Sequence, residues 1–488
     1  MVDALELARR VRAGETSSEA LINDAFKRIE ATNDDLNAVV HTRREKALAE
    51  AKAQQDNGQP FLGVPLLLKD LGQNLKGEPA TLSSRLFKNE IAGRTDNFVA
   101  ALQDAGFIVI GQTNAPEYGF KNITDPVLYG KTRNAWDRDR YSGGSSGGAA
   151  TSVAAGYVPL AAGNDGGGSI RIPASFSGLI GLKPTRGRMP VGPDGWRGWA
   201  GASINFALTR SIRDTSTLLD WLQTYQPAAP FSTPVNLQGF TDQLWDQPAH
   251  LRIAYTTKSP VGTPVSRAAQ QAVLESVDFL KAQGFEVVEQ ENPLDGTALM
   301  RSYYMMNGAE TVAMFDGVSK ALGRPVEPND MERLTWLIYQ VGLGVTGCQY
   351  SQAMGLWDQA SAQMDDFLDT YDLYLTPTTA YPAPRLDNPL VDPDVEAQID
   401  HVTHMKAADR LQLLWDYFEQ ELTQSPFTQQ ANLTGQPAIS LPAFVTTEGL
   451  PLGVQFTARK GDELALLRMG RLFEQQGRLH LPTFEEDK

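Results

Sequence analysis

Cysteine is almost absent from this sequence of 488 residues, which contains only Cys348. One thiol cannot form an intrachain disulfide, and it cannot supply a zinc site built from several cysteines. We therefore expect a protein of a reducing compartment and predict a cytoplasmic location.

Long apolar segments are also missing. No run of about 18 apolar residues occurs, so the sequence predicts no transmembrane helix. The N-terminal stretch MVDALELARRVRAGETSSEAL carries acidic residues from Asp3 onward and has no long apolar core. We expect neither a signal peptide nor a membrane anchor there.

Positive charge is scarce, because 43 Lys and Arg residues stand against 58 Asp and Glu residues, for a net charge of −15. Nucleic acids and anionic membranes bind basic patches, so neither is expected as the main partner. The hydrophobic content of 42% and the charged content of 21% are ordinary for a globular protein. A chain of this length can bury a sizeable core.

Helical and strand patterns alternate along the chain. The amphipathic stretch NFVAALQDAG precedes the apolar run FIVIG, and VSRAAQQAVLESVDFLKAQG precedes FEVVE. This alternation predicts an α/β protein with a central, largely buried, mixed sheet. Further strands are predicted at GVPLLL, LRIAYTT, YDLYLTP, LTGQPAISLPAF and LPLGVQFTAR.

Glycine is concentrated between Tyr141 and Arg188, where it surrounds Ser145 and Ser169. The runs TSVAAGYVPLAAG and IRIPASFSGLIGL in this stretch are apolar and nearly free of charge, so we place these glycines inside a packed body rather than in a linker. Glycine in such a place lets the backbone approach a ligand closely. The stretch is therefore a candidate substrate-binding segment.

A serine hydroxyl needs a nearby base to act as a nucleophile at neutral pH. Histidine is the usual base, but none lies between residues 42 and 249; the five are His41, His250, His401, His404 and His480. Lys69, which ends the apolar run GVPLLL, is the better candidate. Burial disfavours the charged form of a lysine and lowers its pKa.

Three segments together resemble the amidase signature family of Ser-Ser-Lys hydrolases. They are GVPLLLKD at 63–70, GGSSGG at 143–148 and DGGGSIRIPASFSGLIGLKPT at 165–185. They occur in the family's order, with 76 residues from Lys69 to Ser145 and 24 from Ser145 to Ser169. Weaker echoes, such as NAPEYG and TRSIRDT, extend the resemblance over nearly the whole chain. Within the family the chain is most similar to free-standing amidases, including the 6-aminohexanoate cyclic-dimer hydrolase type.

The resemblance implies a catalytic role for each residue at a matching position. Ser169 matches the nucleophile, Ser145 the bridging serine and Lys69 the base. The peptide bond between Gly144 and Ser145 is expected to be cis, as in the family.

Other matching positions are expected to support the reaction. The backbone N–H groups that match the oxyanion hole form a nest of successive amides, which side chains would obstruct; they belong to Gly166, Gly167, Gly168 and Ser169. Asp165 and Arg171 match supports of this loop, and Ser146 matches a position that hydrogen bonds within the site. Two residues depart from the common family pattern, Ala149 after GGSSGG and Gly166 in place of threonine. Neither change removes a reacting group.

The resemblance also implies the architecture. We expect a single amidase-signature domain spanning residues 1–488, with a twisted mixed sheet covered by helices on both faces. Residues 1–60 are predicted to form a helical layer, with a capping box made by Thr16 and Glu19. Residues 61–220 form the catalytic core. Residues from about 295 to 410 form a helical cap on the substrate side, with PLVDPDVEAQID as a loop.

The implied activity is hydrolysis of a small carboxamide, linear or cyclic, through an acyl-enzyme on Ser169. The family uses neither a metal nor an organic cofactor. The expected partner is a small-molecule amide, not nucleic acid or a membrane, and the protein is expected to be a monomer or a homodimer.

Two other functions remain open. The chain could be the glutaminase A subunit of a tRNA-dependent amidotransferase, although it lacks the tyrosine that usually follows GLKPT there. It could also be a catalytically silent, amidase-like binding protein.

Several short motifs have weaker interpretations. Gly144, Ser146 and Gly148 fit the nucleophile elbow G-x-S-x-G, but no strand precedes them. The G-x-G-x-x-G from Gly342 to Gly347 is expected to be a loop between helices rather than a dinucleotide site. His401 and His404 are expected on a solvated face rather than at a metal. Aromatic and methionine residues at 303–306, 336 and 357 line either a pocket or the core.

Overall fold

A computed structural model describes residues 2–246, 251–388 and 390–484. The strands are β1 Val39–Thr42, β2 Pro65–Lys69, β3 Ile108–Thr113, β4 Ala161–Asp165, β5 Ile180–Lys183, β6 Ile204–Thr209, β7 Arg252–Tyr255, β8 Glu286–Glu289, β9 Leu373–Pro377, β10 Ala438–Val445 and β11 Pro451–Ala458. Within the described residues they form one sheet, in the order β1-β3-β2-β4-β6-β5-β10-β11-β9-β7-β8.

Helices flank this sheet along the whole chain. They are α1 Ala4–Arg12, α2 Ser18–Leu36, α3 Arg44–Ala53, α4 Asn97–Asp104, α5 Gly147–Ala154, α6 Arg171–Ser177, α7 Ile212–Leu222, α8 Phe240–Gln243, α9 Arg267–Ala282, α10 Gly296–Leu322, α11 Arg333–Gly342, α12 Gly347–Thr370, α13 Pro393–Gln398, α14 Ala407–Gln424, α15 Gln429–Thr434 and α16 Glu463–Gln475. Short 3₁₀ helices include Glu117–Gly119, Gly198–Gly201 and Ile399–His404.

The sheet is mixed, as predicted. Strand β2 runs parallel to both β3 and β4, and β7 runs parallel to β8 and β9. Strand β6 is antiparallel to β4 and β5, and β10 is antiparallel to β5 and β11. The apolar runs quoted above form strands β2, β3 and β7 to β11, so the sequence identified most of the sheet. The α/β class and the single domain are confirmed.

Strand β2 shows why an uninterrupted apolar run was informative. Leu66, Leu67 and Leu68 are completely buried, because neighbouring strands lie on both sides and helices cover both faces. Since β2 and β4 are parallel, their carboxyl ends meet at the same edge of the sheet. Lys69 at the end of β2 and Asp165 at the end of β4 are therefore brought to one place.

The two largest hydrophobic clusters of the described residues form a larger and a smaller core. The larger core surrounds the sheet and joins β2 and β3 to side chains such as Phe26 on α2 and Leu466 on α16. The smaller core joins helices α10, α11, α12 and α14, with Tyr304, Leu337 and Leu414 among its buried residues. The smaller core holds the helices that face the glycine-rich segment.

Three local predictions were wrong. The N-terminal layer contains the short strand β1 as well as helices, because Val39–Thr42 pairs with β3 in antiparallel orientation. Helix α2 is capped by Ser17, whose side chain accepts the Ala20 N–H, and not by Thr16. The predicted loop from Pro389 onward forms α13 and a 3₁₀ helix, capped by Asp392 with Pro393 in the first turn. Pro389 itself lies outside the described residues.

The predicted cap between about 295 and 410 is divided by a strand of the main sheet. Helices α10, α11 and α12 precede β9, and α13 follows it. The division of the chain into a helical layer at 1–60, a catalytic core at 61–220 and a cap at about 295–410 remains a prediction. Among the described residues, no helix is both long enough and apolar enough to cross a membrane.

Candidate active site

One strand end and two loops at one edge of the sheet carry the predicted catalytic residues. Lys69 is the last residue of β2, Ser145 lies just before α5, and Ser169 lies between β4 and α6. The peptide bond between Gly144 and Ser145 is cis, as expected. The Ser146 N–H donates to the Ser169 carbonyl at 3.2 Å, and the Ser146 hydroxyl donates to the Asn164 carbonyl at 3.3 Å. Ser146 therefore ties the two serine loops together.

The Lys69 side chain lies between two polar partners. Its Nζ is 2.6 Å from Ser145 Oγ and 2.6 Å from Asn164 Oδ1. Lys69 is completely buried. Burial holds the pKa of Lys69 well below its usual range, although the Asp165 carboxylate acts in the opposite direction. A neutral amine next to a serine hydroxyl is the arrangement that a lysine base requires.

Asn164 was not identified from the sequence. It directly precedes Asp165 of the third motif, but an asparagine before a motif carries no chemical signal by itself. Its side chain is fixed at both ends, because Nδ2 donates to the Leu71 carbonyl at 2.8 Å while Oδ1 faces Lys69.

A buried ion pair shapes the loop that carries Ser169. Arg171 donates from Nη2 to Asp165 Oδ1 at 2.8 Å and from Nε to Asp165 Oδ2 at 3.0 Å. Burial raises the pKa of Asp165, but the Arg171 charge and the hydrogen bonds from Arg171 and Asn432 outweigh it and hold that pKa far below its usual range. Asp165 also accepts the Gly168 N–H at 2.8 Å and the Ile170 N–H at 3.1 Å. The predicted supporting residues thus bind the loop directly.

The carbonyl groups of the loop are anchored from the other side. Tyr303 Oη on α10 donates to the Gly166 carbonyl at 3.0 Å, and Thr428 Oγ1 donates to the Gly167 carbonyl at 2.7 Å. In a trans peptide bond, the carbonyl of one residue and the N–H of the next residue point in opposite directions. Anchoring Gly166 O therefore turns the Gly167 N–H away from α10.

The four predicted oxyanion amides are not equivalent. The Gly168 N–H is engaged by Asp165, whereas those of Gly166, Gly167 and Ser169 make no hydrogen bond with any described residue. Gly168 has a φ of +120°, and a Cβ there would lie 2.2 Å from Thr428 Oγ1. Only glycine fits this position without displacing the anchor.

A cavity opens at Ser169. Most of its wall is aromatic or apolar, and the Phe120 and Trp199 rings stack in it at 5.8 Å. The lining residues are Gly119, Phe120, Lys121, Asn122, Gly167, Ser169, Ile172, Trp199, Met300, Tyr303, Tyr304, Phe418, Glu421, Leu422 and Gln429.

The aromatic and methionine residues divide between pocket and core. Tyr303 and Tyr304 line the cavity and also belong to the smaller core. Met306 and Trp357 are buried in the smaller core, against which Trp336 packs. Phe418 and Glu421 were missed, because nothing in the sequence indicates that α14 returns to Ser169. Lys121 and Asn122, which follow the 3₁₀ helix Glu117–Gly119, were missed as well.

The weaker motifs lie elsewhere. Gly342 ends α11 and Gly347 begins α12, so that glycine motif is a connection between helices, as predicted. His401 and His404 lie on an exposed 3₁₀ helix. No described histidine lines the Ser169 cavity, and His250 lies outside the described residues. In the described ranges, no three His, Cys, Asp or Glu residues form a group that could hold a metal ion.

Comparisons with known proteins agree with this geometry. A family model described as Amidase matches residues 20–467. A lipoamidase of Enterococcus faecalis is 47% identical over 489 residues, which cover 99% of this chain; the chain spans only 64% of that protein's length. A 6-aminohexanoate-cyclic-dimer hydrolase of Pseudomonas sp. (strain NK87) is 32% identical, with 97% of this chain and 94% of that protein covered.

Solved structures show the same fold. The structure of a 6-aminohexanoate cyclic dimer hydrolase complexed with substrate superposes with a TM-score of 0.88 and 31% identity, covering 98% of this chain and 97% of that chain. The predicted class, an amide-hydrolysing enzyme, agrees with these relatives. The chain belongs to the amidase family.

Proposed function

We propose that this amidase hydrolyses its substrate through an acyl-enzyme on Ser169, with Lys69 as the base and Ser145 as the proton relay. The observation that carries the proposal is the 2.6 Å contact between Lys69 Nζ and Ser145 Oγ, made by a completely buried lysine. Ser169 Oγ makes no hydrogen bond with any described residue and faces the cavity, so it is open to a substrate carbonyl.

The reaction begins with neutral Lys69. It takes the Ser145 proton while Ser145 takes the Ser169 proton, and Ser169 Oγ attacks the amide carbonyl. The N–H groups of Gly166, Gly167 and Ser169 are available to the negative charge that develops on the carbonyl oxygen. The proton returns through Ser145 to the departing nitrogen as the carbon–nitrogen bond breaks. Water then repeats the same path and releases the acid.

The acyl group is proposed to be apolar and of the lipoyl type. The relative named lipoamidase shares 47% identity with the chain, and the cavity presents Phe120, Trp199, Tyr304 and Phe418 to a substrate. Aromatic side chains make favourable contacts with sulfur, and a lipoyl group carries two sulfur atoms.

The remaining features of the function are also proposals. The substrate is a small-molecule amide, and the protein acts as a monomer or homodimer without nucleic acid or a membrane. A cytoplasmic location is supported by the lone Cys348, whose exposed thiol suits a reducing compartment.

Hydrolysis of lipoamide by the purified protein tests the proposal, with released ammonia and lipoic acid as the measured products. Ser169→Ala and Lys69→Ala should each lower kcat by about a thousandfold or more. A fluorophosphonate should label the wild-type protein at Ser169 and leave Ser169→Ala unlabelled.

Two exposed residues supply matched controls, Ser232→Ala and Lys320→Ala. Both should keep wild-type turnover. Unchanged hydrolysis in Ser169→Ala would refute the catalytic assignment. Hydrolysis of other amides but not of lipoamide would refute only the acyl group. A folded protein with no activity and no labelling would identify a silent binding protein.

A further inference from the structure

Two ionisable side chains other than tyrosine line the Ser169 cavity, Lys121 and Glu421. The catalytic steps above use neither of them. Both are largely buried, with Lys121 14% exposed and Glu421 4% exposed. A charge in a largely aromatic and apolar wall is costly unless it has a partner.

Lys121 already has its partners. Its Nζ lies 3.1 Å from Asp125 Oδ1 and 3.7 Å from Glu332 Oε2. Burial lowers the pKa of Lys121, but the surrounding acidic groups outweigh it and raise that pKa above its usual value. One ammonium group therefore stands among three acidic side chains, those of Asp125, Glu332 and Glu421. An ionised Glu421 adds a negative charge that Lys121 does not balance.

One carboxyl oxygen of Glu421 accepts a hydrogen bond from the protein, and the other does not. Its Oε2 accepts the Asn122 N–H at 3.0 Å, and the Asn122 side chain donates to the Glu421 carbonyl at 2.7 Å. Oε1 makes no hydrogen bond with any described residue, and the Glu421 side chain lines the cavity. The carboxyl group thus offers a fixed acceptor to whatever fills the cavity.

We propose, building on the function proposed above, that Glu421 determines specificity by binding an ammonium group on the amine part of the substrate. The preferred substrate class is then an amide whose acyl part is apolar and whose departing amine carries a second, cationic nitrogen. The aromatic wall accommodates the acyl part, and the free Oε1 of Glu421 binds the cation.

The protonation state of Glu421 makes the preference for a cationic amine part depend on pH. Burial raises the pKa of Glu421 to about 7; Asp125 adds to the effect, while the Asn122 N–H and Lys121 oppose it. The other titratable groups that act on Glu421 are Tyr141, Tyr304 and Tyr417. About a tenth of Glu421 is then ionised at about pH 6, and nearly all of it at about pH 8.5.

The test compares two amides of lipoic acid that differ only at the far end of the amine, N-(6-aminohexyl)lipoamide and N-hexyllipoamide. The measured quantity is the ratio of their kcat/KM values, in which the pH dependence of the catalytic residues cancels. The ratio should rise by about tenfold from about pH 6 to about pH 8.5, as expected when a charge-assisted hydrogen bond forms.

Glu421→Gln should keep the ratio low at both pH values, because glutamine can accept the Asn122 N–H but cannot ionise. Glu419→Gln on the exposed side of the same helix is the matched control and should retain the wild-type rise. The wild-type measurement is decisive by itself if Glu421→Gln does not fold.

A ratio that stays constant with pH in the wild-type protein would overturn the proposal. So would a rise that persists in Glu421→Gln, or one that appears only when the ammonium group is moved to the acyl part. In each of these cases both amides are hydrolysed and the proposed function stands. Failure of that function would instead leave both amides intact.

Discussion

The Arg171 guanidinium and the Asp165 carboxylate form a two-pronged ion pair in which neither side chain is exposed to solvent. Arg171 also reaches beyond this pair, to the Thr428 carbonyl at 2.8 Å and to Gln455 Oε1 at 2.7 Å. The loop that carries Ser169 is thereby attached to the connection before α15 and to β11. Its conformation depends on residues almost 300 positions further along the chain.

Arg171→Met should destabilise the protein by about 3–5 kcal/mol, because it leaves the Asp165 carboxylate buried without its cation. The free energy of unfolding from urea titration measures the change. Lys320→Met, which removes an exposed ion pair with Asp316 on α10, is the control and should have little effect. Similar stability losses in the two variants would contradict the structural importance of the buried pair.

The rate of hydrolysis should increase with pH through the pKa of Lys69. The lysine must be neutral to accept a proton, and burial moves its pKa downward from 10.5. The protonated, inactive form therefore dominates below that pKa and disappears above it. The pH profile of kcat/KM for lipoamide measures this rise, and Glu421→Gln removes the overlapping titration of Glu421.

Asn164→Asp tests the assignment of Lys69 as the base by raising its pKa. In the wild-type protein, Asn164 Oδ1 lies 2.6 Å from Lys69 Nζ. A carboxylate at this place should stabilise the ammonium form of Lys69 and move the rise in rate to higher pH. Loss of activity without any displacement of the profile would indicate that Asn164 only supports the fold.

Gly168→Ala should lower kcat by about tenfold to a hundredfold, because a side chain at φ +120° is strained and would displace Thr428 from the Gly167 carbonyl. Gly355→Ala is the matched control. That glycine lies within α12, and nothing lies within 4 Å of an added Cβ. The control should be neutral or stabilise the protein by up to about 1 kcal/mol. Equal activity of the two variants would argue against the loop geometry described here.

The sequence alone was sufficient for the parts of the site that are encoded locally. Lys69, Ser145 and Ser169 each lie in a short motif, and the order and spacing of the three motifs predicted them together, through resemblance to a family. The cis bond after Gly144 and the roles of Asp165 and Arg171 at the loop were also anticipated, through resemblance to a family.

The rest of the site arises from packing between distant segments. Tyr303 and Glu421 reach the cavity from α10 and α14, and no periodicity predicts which face of a helix meets a loop more than 100 residues away. Asn164 acquires its position only when β2 and β4 lie side by side. The helix cap at Ser17 was misplaced by one residue, because serine and threonine are both good caps and the entry direction of the chain decides between them.

The hydrogen bond from Tyr303 to the Gly166 carbonyl has a consequence for redesign of this enzyme. The Tyr303 side chain forms part of the cavity wall and also holds in place the loop whose backbone N–H groups face the substrate. Replacing Tyr303 to admit a larger acyl group would therefore slow the chemistry as it widened the cavity. Phe418 and Leu422 line that cavity and make no side-chain hydrogen bond to the loop. Variation at these two positions offers a route to new substrates that leaves the reaction centre undisturbed.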